Sequence, residues 1–333
     1  MSQNDFTIAN ASGATVRADI NSGLQALASL SSGSSAPGTM FAYQLWADTT
    51  LNLLKIRNGT NSAWVTIGTL DTTYLGLGNA LAGYLFGLTI SNSGGDPTND
   101  MDIATGVASS DDALITDRVM MTLASGLTKR LDAAWAVGTN QGGLDTGSIA
   151  NATYHVYLIQ RPDTGVVDVL YSTNATTPTM PTNYTKKRRI GACIRTGGQL
   201  LYVVQKGDVF MIGTPLLDIN ATNPGTSAVT RTLTVPDGVS VRALLTVLIG
   251  AHATNSAAYI SDLSMTDVAV TLANGNVVQP AAGYNYASAP VTVKTSTNRT
   301  VRSRVSASDA STLLYLITNG WIDDRGRISQ GGA

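Results

Sequence analysis

The stretch YHVYLIQRPDTGVVDVLY, residues 154–171, decides the fold class. Two runs rich in β-branched and aromatic residues, Tyr154 to Ile159 and Val166 to Tyr171, flank Pro162-Asp163-Thr164-Gly165. Proline fixes φ near the value that a turn requires and glycine accepts a positive φ, so these four residues predict a turn. The stretch therefore predicts an antiparallel hairpin.

Similar short runs recur at intervals of about eight to twelve residues from residue 92 onward, with turn signals such as Gly197-Gly198 between them. This spacing is typical of antiparallel sandwiches. All 22 acidic residues are Asp, which favours turns, and none is Glu, which favours helix interiors. We expect an all-β protein with one β-sandwich domain at 92–213 and a C-terminal one at 214–333. The boundary between them is predicted at Gly213-Thr214-Pro215.

One segment, residues 16–30, has a clear helical pattern. Its apolar side chains recur at steps of four, four, three and three residues, which places on one stripe Val16, Ile20, Leu24, Leu27 and Leu30. A helix of this length is marginal in water unless its stripe is packed. Two interpretations stay open: the stripe packs about the axis of a trimer, or it packs on the chain's own hairpin. The Ser- and Gly-rich residues 31–39 predict a flexible connector.

Residues 41–68, FAYQLWADTTLNLLKIRNGTNSAWVTIG, predict a compact three-strand meander. Asn58-Gly59 lies between two aliphatic runs and predicts a hairpin in which both central turn residues have a positive φ. So small a sheet cannot bury enough apolar area to be stable alone. We therefore expect an assembly element in which Trp46 and Trp64 pack against other subunits.

These segments also carry a family resemblance. In order, NDFTIANASGATVRADINSGLQAL (residues 4–27) and YQLWADTTLNLLKIRNGTNSAWVTIG (residues 43–68) resemble the N-terminal module of bacteriophage tail-fibre and related virion proteins. The resemblance covers about residues 1–75. It implies a virion-attachment module at 1–75. The apolar residues 71–91 with their spaced glycines disfavour a stable helix and predict a neck at 76–91 that joins this module to the next domain. The resemblance also implies a homotrimer with its N-terminus toward the particle, and other tail or baseplate proteins as partners.

The function that we expect is that of a non-enzymatic tail-fibre or baseplate-associated protein, assembled in the host cytoplasm and resident in the virion. Its β-domains would bind the host surface, with a cell-surface glycan as a candidate ligand. One alternative is a head fibre or capsid-decoration protein. A second is a tail-spike glycan depolymerase, although the sequence displays neither a repeat of fixed period nor clustered carboxylates.

Composition favours binding over catalysis. Charged residues make up 13% of the chain, against roughly 25% in typical domains. The formal net charge of −1 gives no electrostatic reason to expect nucleic acid or anionic lipid as a partner. No stretch approaches the ~20 apolar residues of a membrane span. The single cysteine, Cys193, lies in an apolar run and is expected to be buried.

Patterns for catalysis or for cofactor and metal binding are weak, so no enzyme, cofactor or metal is expected. His155 alternates within an apolar strand and is expected to be structural, whereas His252 follows a strand end. The carboxylate pairs Asp111-Asp112 and Asp323-Asp324 are expected in solvated loops, because adjacent side chains on a strand point to opposite faces. The loop from Asp96 to Asp102 offers calcium three carboxylates and an amide, or caps its own turn.

Three surface features complete the predictions. The charge run Lys186-Lys187-Arg188-Arg189 is expected at an exposed strand end, with a polyanion-binding patch as the alternative. Tyr284, Tyr286 and Trp321 suit sugar stacking or subunit contact equally well, and the two tyrosines share one face of an extended segment. Residues 319–333 predict a mobile tail, apart from Trp321.

Overall fold

The computed structural model describes residues 3–70, 82–114, 117–251, 256–279 and 285–327. The protein is mostly β: of the residues that the structure describes, 46% are in strands and 6% are helical. This confirms the expected fold class, while two sandwich domains at 92–213 and 214–333 stay a prediction. The chain divides into two compact units: an N-terminal unit of residues 1–82 and 112–119, and a body of residues 83–111 and 120–333.

The predicted helix is α1, Gly13–Ala28, the one helix of the described residues. It begins where the Ser12 side chain accepts a hydrogen bond from Thr15 N at 3.3 Å, which satisfies one of the unpaired N–H groups of the first turn. The helix therefore starts before Val16. It also ends before Leu30, which lies beyond it with a φ of 52°.

The predicted meander is an antiparallel sheet in the order β1–β2–β3, formed by Leu45–Asp48, Leu53–Arg57 and Trp64–Thr69. Its second turn differs from the prediction, because Asn61 has the positive φ (55°) and neither Asn58 nor Gly59 does. The Asn58 side-chain oxygen accepts from the N–H groups of Ser62 (2.8 Å) and Ala63 (3.2 Å). These bonds stabilise a longer loop than the two-residue turn.

The predicted flexible connector, residues 31–39, is instead tied to β1. Gly33 N donates to Ala47 O at 3.1 Å and Thr49 N donates to Gly33 O at 3.0 Å, which makes a parallel bridge between Gly33 and Asp48. The open edge of β1 offers backbone groups that need partners, and the connector supplies them. Composition alone does not reveal such a partner.

The body is built from strands β4 to β23, most of them antiparallel. Among the described residues, these strands form sheets in the orders β14-β13-β11-β12-β10-β9-β6-β5, β15-β16-β23-β18-β21, β17-β22-β19-β20 and β4-β7-β8. Their bounds are β4 Leu85–Gly87, β5 Ile90–Asn92, β6 Asp100–Ile103, β7 Gly106–Ser109, β8 Met120–Leu123, β9 Leu127–Ala134, β10 Gln141–Leu144, β11 Thr153–Arg161, β12 Val166–Ser172, β13 Lys186–Thr196, β14 Gln199–Leu200, β15 Val203–Lys206, β16 Val209–Thr222, β17 Val229–Thr232, β18 Arg242–Ala251, β19 Ser256–Ser261, β20 Val277–Gln279, β21 Asn285–Lys294, β22 Thr300–Val305 and β23 Leu313–Ile322.

The hairpin predicted from residues 154–171 is confirmed. β11 and β12 pair antiparallel with Arg161 opposite Val166, and Gly165 has a φ of 73° and donates to Arg161 O at 2.8 Å. β10 is an exception to the antiparallel pattern, since it runs parallel to both of its neighbours, β9 and β12.

A single hydrophobic core joins the five-stranded and the four-stranded sheet of the body. At its centre, the rings of Phe210 and Trp321 stack with centroids 5.5 Å apart and planes 6° from parallel. The predicted boundary at residues 213–215 falls inside β16, which pairs with β23 on both sides of that point.

The predicted neck and tail are partly strands. Residues 76–81 lie outside the described residues, whereas Leu85–Gly87 and Ile90–Asn92 are strands of the body. At the other end, residues 319–322 belong to β23, and Asp323 N donates to Asp208 O at 2.9 Å. The mobile tail is therefore wrong for residues 319–323, and residues 328–333 lie outside the described residues.

Candidate functional site

The apolar stripe of α1 is exposed. The exposed fractions of Ile20, Leu24 and Leu27 are 41%, 58% and 63%, and Val16 is half-buried. Within α1, whose residues are all described, only Ala26 is buried. The stripe does not pack on the chain's own hairpin, so one of the two interpretations is wrong. Packing about a trimer axis stays a prediction.

β3 adds exposed apolar side chains to the same unit, since Val65 and Ile67 are 48% and 43% exposed. The charged residues of α1 are Arg17 and Asp19, whose charges cancel. A second copy of α1 would therefore meet little electrostatic repulsion. The N-terminal unit has the surface chemistry of an association element.

Trp46 is used inside the N-terminal unit. It is buried, its ring lies edge-on to that of Trp64 with centroids 5.2 Å apart, and its indole N–H donates to Gly33 O at 3.3 Å. Lys55 Nζ lies 4.6 Å from the Trp46 centroid and 2.8 Å from Asp48 Oδ2, and this hydrogen bond lowers the pKa of Asp48. Trp46 is therefore a core residue and not a subunit contact as predicted, whereas Trp64 is half-buried.

The three aromatic residues predicted to contact a glycan do not form one site. Trp321 is completely buried and stacked on Phe210, so that prediction is wrong for Trp321. Its place in the central strand β23 buries it, whereas the Gly-rich residues after it suggested a loop. Tyr286, on β21, is 60% exposed and Tyr284 lies outside the described residues.

The basic run Lys186 to Arg189 is not a polyanion patch. Arg189 donates to both carboxylate oxygens of Asp323, at 2.6 and 2.7 Å, and Arg188 is buried and donates to Arg325 O at 2.9 Å. Burial opposes ionisation of Asp323, but the charge and hydrogen bonds of Arg189 outweigh it and lower the pKa of Asp323. The run fastens β13 to the residues after β23.

The two aspartate pairs are not clustered carboxylates. Asp111 accepts from Lys187 Nζ at 2.6 Å, and Asp324 lies 3.2 Å from Arg242 Nη2. Asp323 is 2% exposed, so the expected solvated loop is wrong at that residue because an arginine faces it.

His155 is buried as expected, but its two ring nitrogens have no hydrogen-bond partner among the described residues, so it is not the satisfied histidine of the prediction. It is completely buried, and burial together with the positive charge of Arg189 lowers its pKa to about 4. Cys193 is also buried, which raises the pKa of its thiol to about 12. Such a thiol is inert in the folded protein. His252 lies outside the described residues.

The loop from Asp96 to Asp102 caps its own turn. Asp96 Oδ1 accepts from Thr98 N at 2.9 Å, and Asp102 Oδ1 accepts from the Thr128 hydroxyl at 2.7 Å. Among the residues that the structure describes, no group of three His, Cys, Asp or Glu side chains is placed to hold a metal ion. The self-capping interpretation is confirmed, and the calcium alternative gains no support.

The body contains a groove that no sequence pattern predicted. It has a volume of about 480 Å³, and its aromatic wall is formed by half-buried Trp135 with Tyr184 edge-on to it, the ring centroids 5.0 Å apart. We call it the Trp135 groove and define it by Trp135, Asp145, Arg161, Met180, Thr182 and Tyr184.

Trp135, just after β9, is fixed by two hydrogen bonds, and a third holds the residue that follows it. Its backbone N–H donates to Leu144 O at 2.9 Å, and its indole N–H donates to Val169 O at 3.0 Å. The next residue, Ala136, donates to Gly142 O at 3.0 Å. The indole ring is thus held in one orientation at the wall of the groove.

A buried ion pair lies directly behind this wall. Lys129 Nζ is 2.9 Å from Asp168 Oδ1, and both side chains are at most 1% exposed. Lys129 also donates to Ala136 O at 2.6 Å, and Asp168 Oδ2 accepts from Gly138 N at 2.8 Å. Burial lowers the pKa of Lys129, against the opposing charge of Asp168. The pair therefore orders the loop that follows Trp135.

A weak signal of this pair exists in the sequence. Asp168 interrupts an apolar run, VVDVLY, in which a buried charge requires a partner, whereas Lys129 lies beside Arg130 in the mixed segment LTKRL. The partner is distant in the chain, however, and only the pairing of β9 and β12 with β10 brings the two together.

Comparisons with known proteins do not place the chain in a family: no protein-family model matches it, and no curated protein does. Among the described residues, no helix has the length and apolar character needed to cross a membrane.

Proposed function

We propose that the protein is a non-enzymatic structural component of a bacteriophage particle, a tail-fibre or baseplate-associated protein. The N-terminal unit joins the chain to copies of itself, as a homotrimer, and to other tail proteins. The body is presented to the host surface. The resemblance of residues 4–27 and 43–68 to tail-fibre N-terminal modules carries the virion role, and the exposed apolar stripe of α1 supports the association.

A helix as short as α1 is marginal unless its apolar face is packed. Burial of one leucine-sized side chain contributes about 1.5–3 kcal/mol. Ile20, Leu24 and Leu27 are exposed in the single chain, so association of three copies through this stripe would bury all of them. Closed symmetry suits this role, because each copy contributes the same surface.

The body suits binding by many weak contacts. Two of its candidate catalytic groups lie in the interior: His155 is buried, and Asp323 is ion-paired with Arg189. Three linked copies raise the avidity of a weakly binding surface without any new contact. This supports a role in adhesion for the body.

The direct test is to raise antibodies against the purified chain and to image labelled particles of the phage that carries the gene. Label on the tail or baseplate is the expected result, and absence of label from the particles contradicts the proposal. Label on the head supports a head fibre or decoration protein instead. Shortening of host polysaccharide by the purified chain supports a depolymerase.

Attachment through α1 is tested with the double variant Leu24→Ser/Leu27→Ser. We expect it to be lost from particles while the body stays folded. The matched control is Met265→Ser/Leu272→Ser, which removes two apolar side chains of the body that are 59% and 46% exposed. The control is expected in particles at the normal level, and equal incorporation of both variants contradicts the attachment role of the stripe.

A further inference from the structure

We infer that the Trp135 groove binds one neutral pyranose residue of a surface polysaccharide. The inference deepens the proposed function. The biological source of the sugar, a host-surface polysaccharide, depends on that proposed function. The groove itself is an independent observation. Its volume of about 480 Å³ lies within the range of roughly 300–1,000 Å³ found for small-molecule sites.

The aromatic wall suits the C–H face of a sugar ring. Lys129 Nζ is fully buried and lies 5.5 Å from the Trp135 centroid, and the half-buried indole itself lines the groove. The indole N–H is already bonded to Val169 O, which leaves the ring to act as a flat apolar platform. Aromatic platforms of this kind combine a large contact area with a small loss of conformational freedom.

Polar groups beside the platform can bond hydroxyls. Asp145 accepts from Thr179 N at 3.0 Å and from Thr146 N at 2.7 Å, but a carboxylate has about four acceptor positions, so it can also accept from a ligand. Arg161 bonds Asp163 through Nε and Nη2, and its Nη1 can donate. A sugar hydroxyl both donates and accepts, so it matches an acceptor and a donor on one rim.

The charges favour a neutral ligand. Asp145 and Arg161 are the charged lining residues, and Arg161 is already paired with Asp163, so the rim keeps one uncompensated carboxylate that repels an anionic ligand. A cationic ligand on the indole would in turn lie near the ammonium of Lys129, which is already close to the same ring. These features disfavour sialic-acid-like and choline-like ligands.

The groove is ordered before a ligand arrives. The Lys129–Asp168 pair holds Ala136 and Gly138, and three backbone or indole hydrogen bonds hold the Trp135 region. A preformed wall lowers the entropic cost of binding. This explains why a buried ion pair, which adds little net stability compared with an apolar pair, stands behind an exposed surface feature.

The test uses saturation-transfer NMR on the full chain with the methyl pyranosides of glucose, galactose, mannose and N-acetylglucosamine. We expect transfer to the ring protons of at least one sugar, and the Trp135→Ala variant should weaken its affinity about tenfold or more. The matched control is Tyr286→Ala, which removes an aromatic side chain that is 60% exposed elsewhere on the body and should leave transfer unchanged.

Thr182→Trp provides a second variant that fills the groove from its exposed rim, in case Trp135→Ala disturbs folding. It should abolish transfer while Cys193 stays protected from alkylation. Transfer to none of the four sugars, or equal transfer in Thr182→Trp, overturns the inference. Stronger transfer to N-acetylneuraminic acid or choline through the same groove overturns its neutral character. Sugar binding without antibody label on particles leaves the groove standing and refutes the virion role.

Discussion

The helix α1 and the strand β23 show how differently the two units use apolar residues. β23 pairs with β16 on one side and β18 on the other, and Leu314, Leu316 and Trp321 are completely buried. α1 is longer, yet only one of its residues, Ala26, is buried. The body closes its core within one chain, whereas the N-terminal unit leaves the apolar stripe of α1 exposed. Stability and assembly should therefore be separable by mutation.

The largest effect on the body is expected from Asp323→Ala. The substitution leaves the Arg189 guanidinium, whose side chain is 13% exposed, without its carboxylate partner. Loss of one partner of a buried pair costs about 3–5 kcal/mol. Urea unfolding followed by circular dichroism measures the change in the free energy of unfolding.

The neighbouring Asp324→Ala variant is the control for that measurement. Its partner Arg242 is half-exposed and the pair is open to solvent, so the expected loss is at most about 1 kcal/mol. Equal losses for the two variants would mean that the ion pair between Arg189 of β13 and Asp323 does not stabilise the body.

The next effect is a dependence on pH that originates at His155. Its folded-state pKa is about 4, below the ordinary value of 6.5, so the unfolded chain binds a proton there that the folded chain does not. The free energy of unfolding should fall by about 3 kcal/mol as the pH drops from 6.5 to 4. Asp323 has a lowered pKa and contributes its own loss only at still lower pH.

The matched variant is His155→Gln, which has no titrating ring. Urea midpoints at several pH values between 6.5 and 4.5 should then show a flatter pH dependence than the unmodified chain. Parallel curves for the two proteins would exclude His155 as the origin of the acid sensitivity.

Much of the body follows from local patterns. Alternating runs and turn residues predicted β11, β12 and β13 close to their observed bounds, because strand periodicity and positive-φ glycines are local properties. The single helix was predicted for the same reason. Arrangements that depend on long-range pairing were missed, such as the connector bound to β1 and the parallel strand β10.

The candidate sites were harder to predict than the strands. Trp321 and Asp323 follow a strand-like run and precede Gly-rich residues, so their composition suggested a tail, but β23 continues through Trp321 and Asp323 is buried just after the strand ends. The Trp135 groove requires residues from β9, β11 and the segment near residue 180 to meet. The spacing of residues along the sequence does not predict that these segments come together.

A smaller effect concerns the reactivity of Cys193, which reports on the body alone. The thiol is buried and its pKa is raised to about 12, so alkylation requires unfolding. Asp323→Ala should accelerate alkylation about a hundredfold or more, in step with its loss of stability. Leu24→Ser/Leu27→Ser should leave the rate unchanged at protein concentrations where the chain is dissociated, and mass spectrometry counts the modified thiol.

The smallest change in stability is expected for Leu24→Ser/Leu27→Ser, which is also the variant that tests assembly most directly. Analytical ultracentrifugation of the full chain and of Leu24→Ser/Leu27→Ser tests whether the exposed stripe of α1 joins copies of the protein. We predict a trimer for the unmodified chain and a monomer for the double variant. As a control for folding, Cys193 of the double variant should be alkylated as slowly as in the dissociated unmodified chain. A monomeric parent chain, or a double variant that remains trimeric, would contradict the assignment of assembly to the N-terminal unit.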